Sequence, residues 1–279
     1  MNEELKARYD SLTEALRGLG SVAVAFSGGV DSTLLVRAAH DVLGDKVLAV
    51  TASSETYPSA ELESAERLAK EIGVLHVVIQ TKELEIPGFR HNPPDRCYHC
   101  KRELFSQVRA IAAEYGIANI ADGSNADDLN DYRPGARAIE ELRVLTPLRD
   151  AGLSKADIRE FSHELGLPTW NKPAYACLAS RFPYGADITP DKLKMVEHAE
   201  ALLHEMGFPQ CRVRHHGDVA RIEVEPGRGQ ELTSPEAARQ IVDGLRQIGF
   251  RYVALDLEGY RTGSMNETLP PGGGRDDRG

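Results

Sequence analysis

This sequence has few of the residues that serve disulfide stapling or membrane insertion. Its 279 residues include four cysteines and one tryptophan, and aromatic residues make up 6% of the chain. Disulfide-stapled scaffolds are short and rich in cysteine, so four cysteines in a chain of this length exclude that class. No apolar run reaches the roughly 18 residues that a membrane span needs. We therefore expect no membrane partner.

The chain also lacks a surplus of positive charge. It carries 33 Lys and Arg against 43 Asp and Glu, a net charge of −10. That balance argues against a broad surface for nucleic acid. The N-terminus begins with Met1-Asn2-Glu3-Glu4 and continues as an amphipathic helix, which is not the composition of a signal peptide. We expect a cytoplasmic protein that binds no nucleic acid.

Short apolar runs alternate with helical patterns in the first two thirds of the chain. SVAVAF (21–26), KVLAVTA (46–52) and VLHVVIQT (74–81) are typical of buried strands. This alternation predicts an α/β fold with a doubly wound parallel sheet. From Thr189 the pattern becomes helix, two strands joined at Gly217-Asp218, helix and strand, which predicts a smaller C-terminal α+β domain.

The first of these strands leads into a loop suited to an anion. Ser27-Gly28-Gly29-Val30-Asp31-Ser32 follows the apolar run, and we expect a helix to begin about five residues after Ser27. Glycines let backbone N–H groups approach a phosphate, and the hydroxyls of Ser27, Ser32 and Thr33 can donate to it. Asp31 does not suit a phosphate, so it predicts a Mg²⁺ ion. A plain strand-to-helix turn capped by serine is the alternative.

The loop lacks the lysine of a Walker A motif and the spacing of a dinucleotide-binding turn. It resembles instead the SGGxDS loop of the N-type (PP-loop) ATP pyrophosphatases, which cleave ATP between the α and β phosphates. A second polar turn, DGSNADD (122–128), follows another predicted strand. We expect Asn125, Asp127 and Asp128 on the same rim, where they orient the nucleotide or a second Mg²⁺ ion. An acidic surface turn is the alternative.

Three cysteines are candidates for ligands of one metal site. Cys97 and Cys100 form a C-x-x-C in a predicted loop before a helix from about Lys101, and Cys177 lies in a later loop of the same domain. An iron–sulfur cluster with one open iron, a structural zinc site completed by Cys211, and a redox pair all fit these residues. Cys211 begins a predicted strand, so we expect it to be a packed core thiol.

Longer stretches identify a family. DGSNADDLNDYRPGARA, ACLASRFPYG and RVRHHGDVARIEV, with the N-terminal loop, are similar to the LarE family of ATP-dependent sulfur transferases over nearly the whole chain to about Pro270. The resemblance implies adenylation of the carboxylates of pyridinium-3,5-biscarboxylic acid mononucleotide. It further implies their conversion to thiocarboxylates for the nickel-pincer nucleotide of lactate racemase, by a homo-oligomer for which we expect a hexamer.

The resemblance also implies a domain division and two routes for sulfur. Residues 1–185 correspond to the ATP pyrophosphatase domain and 186–269 to a substrate-binding and oligomerisation domain, while the tail 270–279 is expected to be disordered. One family variant sacrifices a single cysteine, which matches Cys177. The other holds a 4Fe–4S cluster on three cysteines and takes sulfur from sulfide or another donor. With Cys97, Cys100 and Cys177, this chain resembles the cluster variant. Sacrificial transfer of the Cys177 sulfur is the alternative mechanism.

Basic residues near the C-terminal domain are candidates for contacts with the substrate. Arg212 and Arg214 lie two apart on a predicted strand, so they share one face and can clamp the substrate phosphate. Arg181, four residues after Cys177, is placed to meet the substrate carboxylate or the adenylate.

Glu200 and Glu223 resemble acidic positions that the family uses near substrate or metal, with solvated surface glutamates as the alternative. His215 and His216 point to opposite sides of a strand. They are candidates for proton transfer, although packing and solvent exposure are the commoner roles.

Three other hypotheses compete. A tRNA-thiolating enzyme of the same superfamily needs a basic groove, which a net charge of −10 does not indicate. An amidating ligase leaves the three cysteines unexplained. A nucleotide sensor without catalysis would bind ATP and release no pyrophosphate. We therefore predict a Mg²⁺-requiring sulfur transferase that releases pyrophosphate and AMP.

Overall fold

The computed structural model describes residues 3–130, 134–173, 177–261 and 263–268. The chain folds as two compact units, of which the first comprises Met1–Glu83 and Asp95–Tyr175 and the second Leu84–Pro94 and Ala176–Gly279. The chain therefore enters the second unit once before Cys97. The functional assignment of 1–185 and 186–269 stays a prediction, and the tail 270–279 lies outside the described residues.

The first unit is built on a parallel four-stranded sheet. Its strands are β1 Val22–Ala25, β2 Val47–Ser53, β3 Leu75–Gln80 and β4 Ile120–Ala121. Their spatial order is β3-β2-β1-β4, and β1 pairs in parallel with both neighbours. The chain winds from β1 to one side and then crosses to the other, so the carboxyl end of β1 lies at the switch point where such sheets bind ligands. The predicted fold class is confirmed.

Different helices cover the two faces of this sheet. They are α1 Glu3–Leu19, α2 Val30–Leu43, α3 Ser59–Ile72, α4 Arg96–Glu114, α5 Pro134–Glu141, α6 Pro147–Asp150 and α7 Lys155–Glu164. Val22 and Val24 of β1 share a core with α1, α2 and α7, whereas Ala23 shares one with Phe105 and Val108 of α4. Successive side chains of a strand point to opposite faces. Both faces of β1 are therefore buried, which is why its apolar run is continuous.

Two helices begin earlier than predicted. α2 begins at Val30, three residues after Ser27, and α4 begins at Arg96, well before Lys101. The expectation of a loop around the C-x-x-C was wrong, because the helix starts directly after its N-cap, Asp95. Cys97 lies in the first turn of α4 and Cys100 at the start of the second. Residues three apart on a helix share a face, so Cys97 and Cys100 do so.

The second unit carries the smaller sheet. Its elements are α8 Pro190–Glu205, β5 Cys211–His216, β6 Val219–Val224, α9 Gly229–Leu232, α10 Pro235–Ile248 and β7 Tyr252–Leu255. β5 and β6 form the predicted antiparallel hairpin, and β7 pairs in parallel with β6. Thr189 and Ser234 cap α8 and α10 with their side chains. Among the described helices of the whole chain, none is long and apolar enough to cross a bilayer.

A buried ion pair attaches α4 to the end of β4. Lys101 Nζ lies 2.6 Å from Asp122 Oδ2, and the N–H and hydroxyl of Ser124 both donate to the other oxygen. Burial alone would raise the pKa of Asp122, but the Lys101 charge and the Ser124 donors outweigh burial and hold this pKa below its ordinary value. Because Lys101 follows Cys100, the pair also fixes the turn that carries both cysteines.

The variant Lys101→Met leaves the buried Asp122 carboxylate without its counter-charge. We expect the free energy of unfolding at pH 7 to fall by roughly 1–3 kcal/mol. The folded pKa of Asp122 lies below its unfolded value of about 3.8, so the wild-type contribution is complete well above that pH and is lost as the pH falls through the folded pKa. The variant can also relieve its unpaired carboxylate by protonation, so its deficit narrows on acidification.

Urea unfolding at pH 7 and pH 4 measures this change. The exposed Lys46→Met is the matched control and should change stability little at either pH. A deficit of Lys101→Met that is equal at both pH values would contradict the role of this ion pair.

Candidate functional site

The glycine loop lies between β1 and α2, directly against α3. Gly28 has φ +63°, in the left-handed region that glycine favours. A Cβ on Gly28 would lie 3.2 Å from Cα and Cβ of Ala65, on α3. Both the backbone conformation and the close packing therefore require glycine at this position.

The start of α2 fits an anion. Its N-cap is Gly29, which supplies no side-chain acceptor for the N–H groups of the first turn. A helix N-terminus also carries partial positive charge, so phosphate oxygens suit this place. The Ser32 hydroxyl accepts from the Ser27 N–H at 3.3 Å and lies 3.2 Å from the Ser27 hydroxyl. Thr33 differs from the prediction, because its hydroxyl is buried and has no partner among the described residues.

Asp31 lies in the first turn of α2, and its contacts connect this helix to the turn 122–128 and to α7. Asn125 Nδ2 donates to Asp31 Oδ1 at 3.2 Å, and Lys155 Nζ forms an ion pair with Oδ2. Asp127 accepts from the Lys155 N–H at 2.8 Å, and Asp128 accepts from the Asn125 N–H at 3.0 Å. The structure thus brings the two predicted polar loops together. The carboxylates of Asp127 and Asp128 accept hydrogen bonds from backbone N–H groups.

The Asp31 carboxylate suits a metal ion that is also bound by phosphate oxygens. Mg²⁺ in phosphate sites is commonly held by one or two carboxylates together with phosphate oxygens. Asp31 can supply such a carboxylate next to the anion-binding turn. No group of three or more His, Cys, Asp or Glu side chains among the described residues can hold a metal ion without other ligands.

Lys155 and Gly123 are site residues that the sequence reasoning missed. Lys155 is the first residue of α7, whose start is fixed by a capping box between Ser154 and Asp157. That S-x-x-D pattern predicts a helix start but not its position beside α2. Gly123 packs on α2 so closely that a Cβ would lie 3.1 Å from the Ser32 nitrogen.

The cysteines occupy different surroundings. In the first unit Cys97 is exposed and Cys100 half-buried. In the second unit Cys177 is exposed and precedes the short turn Leu178–Arg181. Cys211 is fully buried, and burial raises its pKa to about 12. Cys211 packs among the apolar side chains of the core of the second unit, which confirms it as a core residue.

Five buried charged side chains of the second unit form what we call the Arg–Glu cluster. Its members are Arg181, Glu200, Arg212, Arg214 and Glu223, each at most 5% exposed. Arg181 donates from Nε and Nη2 to the two oxygens of Glu200, both at 2.8 Å. Arg214 donates from Nε and Nη2 to Glu223 at 3.0 and 2.7 Å. Both contacts are bidentate, the strong geometry for an arginine and a carboxylate.

The two glutamates are therefore buried partners, and the alternative of solvated surface glutamates was wrong. Burial would raise the pKa of Glu200, but Arg181, Arg212 and the Val213 N–H together hold this pKa below its ordinary value. Because the fork of Arg214 already contacts Glu223, a clamp of Arg214 on phosphate stays a prediction that requires Arg214 to change partners.

The Arg–Glu cluster carries more positive than negative charge. It has three arginines and two glutamates, and Arg221 and Asp256 at its edge contribute one charge of each sign. Arg212 stacks on the ring of Tyr260 at 4.9 Å, and burial and the neighbouring Arg181 lower its pKa. Arg181 also donates to the Cys177 carbonyl at 3.2 Å, so the cluster adjoins the turn that carries Cys177.

The two histidines point to opposite sides of β5, as predicted. His215 is buried between Phe182 and Phe250, with ring centroids 5.1 and 5.4 Å away. His216 is exposed at the end of the strand. Burial lowers the pKa of His215, and partial desolvation of the ring together with the nearby Arg221 and Arg214 lowers the pKa of His216. Packing accounts for His215.

Known proteins resemble this chain along most of its length. Residues 6–120 match the family model described as asparagine synthase. An uncharacterised protein of Synechocystis is 42% identical over 95% of this chain and 99% of its own length. A second uncharacterised protein, from Methanocaldococcus jannaschii, is 30% identical over 86% of this chain and 91% of its own.

A relative with a named activity comes from Lactiplantibacillus plantarum. It is pyridinium-3,5-bisthiocarboxylic acid mononucleotide synthase, 42% identical over 95% of this chain and 96% of its own length. This similarity extends through both units, and the glycine loop lies within the matched model. The chain therefore belongs to the LarE family of ATP-dependent sulfur transferases, on the fold of the PP-loop ATP pyrophosphatases.

Proposed function

We propose that this protein converts pyridinium-3,5-biscarboxylic acid mononucleotide to the bisthiocarboxylic acid used in the nickel-pincer nucleotide of lactate racemase. The observation that supports this most directly is the 42% identity to the named synthase over 96% of that protein. We expect the reaction in the cytoplasm, by a homo-oligomer of expected hexameric size, with sulfide or another sulfur donor as co-substrate.

The first step makes a carboxylate electrophilic. A substrate carboxylate oxygen attacks the α-phosphorus of ATP, the bond from this phosphorus to the bridging oxygen breaks, and pyrophosphate leaves. The loop of Ser27, Gly28, Gly29, Val30, Asp31 and Ser32 holds the departing pyrophosphate through backbone N–H groups and the start of α2. Asn125 orients Asp31, and the Lys155 ammonium lies close enough to offset developing phosphate charge. Mg²⁺ at Asp31 supplies further charge neutralisation.

The second step transfers sulfur. A sulfur nucleophile attacks the acyl carbon of the adenylate, the carbon–oxygen bond to AMP breaks, and AMP leaves with the electron pair. We assign Cys97, Cys100 and Cys177 as ligands of a 4Fe–4S cluster, which supplies sulfide when bound. Exposed or half-exposed thiols at these positions suit that chemistry. In the alternative route, the Cys177 thiolate attacks the acyl carbon, AMP leaves and a thioester forms. Loss of the Cys177 Cα proton then breaks the Cβ–Sγ bond, so the sulfur stays on the substrate as a thiocarboxylate and Cys177 becomes dehydroalanine.

The Arg–Glu cluster offers a place for the substrate phosphate. Arg212 is buried beside Arg181 and stacks on the ring of Tyr260, and Arg181 donates to the Cys177 carbonyl. We assign the substrate phosphate to Arg212, with Arg214, and the reacting carboxylate or adenylate to Arg181. Glu200 holds the fork of Arg181 in place, whereas Glu223 would release the fork of Arg214 to the phosphate, so in this proposal both glutamates act on the substrate through the arginines.

The variant Asp31→Ala should abolish adenylation. Loss of the carboxylate removes the metal ligand and the partner of Asn125, so we expect substrate-dependent pyrophosphate release to fall by at least about a hundredfold. The exposed Asp45→Ala is the matched control and should keep the wild-type rate. In the wild type, AMP and pyrophosphate should appear only with the pyridinium substrate, and mass spectrometry should find sulfur in the product. ATP turnover without that substrate would contradict the proposal.

The variant Cys97→Ser separates the two sulfur routes. It should keep one round of adenylation and lose multiple turnover with added sulfide. Iron and acid-labile sulfide after anaerobic purification should be near-equal in the wild type, lost together in Cys97→Ser and retained in Cys211→Ala. Iron-free protein whose Cys177 loses its sulfur after one turnover would support the sacrificial route instead.

The variant Arg212→Met should weaken binding of the substrate phosphate. We expect KM for the mononucleotide to rise about tenfold or more, with a smaller effect on kcat, because a charge-assisted contact is lost. The nucleoside analogue without phosphate should show no difference between variant and wild type. The exposed Arg239→Met serves as control. Equal losses on both substrates would place Arg212 in a structural role only.

A further inference from the structure

Lys172 contacts the glycine loop on the side of the Gly28 carbonyl oxygen. Its Nζ lies 3.0 Å from the Gly28 carbonyl oxygen, 2.8 Å from Glu61 Oε2 and 3.4 Å from Ser64 Oγ. An ammonium has three N–H donors, and here it has three protein acceptors. Lys172 is therefore a ligand of the loop carbonyl and has no remaining donor for a nucleotide.

A second donor holds the preceding carbonyl in the same way. The Tyr57 hydroxyl donates to the Ser27 carbonyl oxygen at 2.7 Å. In a planar trans peptide the C=O of one residue and the N–H of the next point in opposite directions. Holding the carbonyls of Ser27 and Gly28 therefore turns the N–H groups of Gly28 and Gly29 to the other side, where the Gly29 N–H donates to the Ser27 hydroxyl at 3.4 Å, a long contact that phosphate can replace. Successive N–H groups with one orientation form an anion-binding concavity.

The lysine is itself held at both ends. Arg159 on α7 donates to the Trp170 and Lys172 carbonyls at 2.7 and 2.8 Å, which fixes the turn after α7. At the other end the ammonium pairs with Glu61, which is only 8% exposed in the first turn of α3. A carboxylate with so little solvent needs a counter-charge, so the pair resists separation.

We propose that Lys172 is a positioning residue of the nucleotide site, which orients the Gly28–Gly29 peptide so that its N–H faces pyrophosphate. This role rests on the proposed function in one respect, namely that the glycine loop binds the pyrophosphate part of ATP. Lys172 acts through the Gly28 carbonyl and touches no phosphate. Tyr57 performs the same task for the Ser27–Gly28 peptide.

The test uses the full chain without nucleotide and then with it. Amide hydrogen exchange of peptides covering residues 27–32 is compared in wild type, Lys172→Met and the exposed control Lys70→Met on the same helix as Glu61. With nucleotide bound, we expect exchange in these peptides to be about tenfold faster in Lys172→Met than in wild type and Lys70→Met, because N–H groups that are no longer held toward pyrophosphate lose its protection. The double variant Lys172→Met/Glu61→Gln leaves no unpaired buried carboxylate and gives the same readout if the single variant folds poorly.

Equilibrium binding then links the loop to the nucleotide. We expect affinity for Mg²⁺-ATP and for pyrophosphate to fall about tenfold in both Lys172 variants, and affinity for AMP to stay unchanged. Unchanged exchange together with weaker ATP binding would overturn the proposal, because Lys172 would then contact the nucleotide directly. Faster exchange with unchanged affinity for ATP and pyrophosphate would overturn the link to nucleotide binding. Wild-type protein without affinity for ATP would instead refute the proposed function, whatever the exchange result.

Discussion

The orientation of two peptide planes between Ser27 and Gly29 governs what the first unit can bind. A backbone N–H can face a ligand only if the carbonyl on the other side of the peptide has its own partner, since an unpaired buried carbonyl is costly. Tyr57 and Lys172 supply those partners, and the contact of Gly28 with Ala65 leaves no room for a side chain. The parallel sheet contributes by ending β1 at this point, and α2 by beginning there without a side-chain cap. The anion site is thus formed by backbone N–H groups whose orientation is fixed by contacts to the carbonyl groups on the other side of the same peptides.

The second unit meets the same problem with side chains. Burying two bidentate Arg–Glu pairs is not an efficient way to stabilise a fold, because the desolvation of both charges offsets most of their attraction. An apolar core of similar volume would serve stability as well. The pairs make physical sense where they hold guanidinium groups in fixed orientations next to a further arginine, Arg212, and to the turn of Cys177. In the proposed function, these fixed guanidinium groups would contact the negatively charged mononucleotide.

The sequence predicted the backbone features of the site better than its side-chain partners. A continuous apolar run followed by Ser27-Gly28-Gly29 indicates a buried strand and an anion loop from neighbouring residues alone, and the alternation of elements indicates the parallel sheet. Lys155 and Lys172 escaped prediction because their partners, Asp31 and Gly28, lie far away in sequence and meet them only through tertiary folding. The first turn of α4 was missed because the C-x-x-C suggested a loop, whereas helical spacing serves a ligand pair equally well.

Net charge illustrates a further limit of composition. A total of −10 argues against a broad basic surface, yet it says nothing about a local anion site. Near the glycine loop, Lys172 and Lys155 have different roles. Lys172 is committed to Glu61 and Gly28, so its charge compensates a buried carboxylate and leaves the local balance neutral. Lys155 forms an ion pair with Asp31, the carboxylate that would hold Mg²⁺ in the proposed function. Mg²⁺-ATP would then compete for this carboxylate, and the Lys155 ammonium would take phosphate oxygens as its new partners. In that case the positive charge of Lys155 becomes available at the loop only when the polyanion is bound.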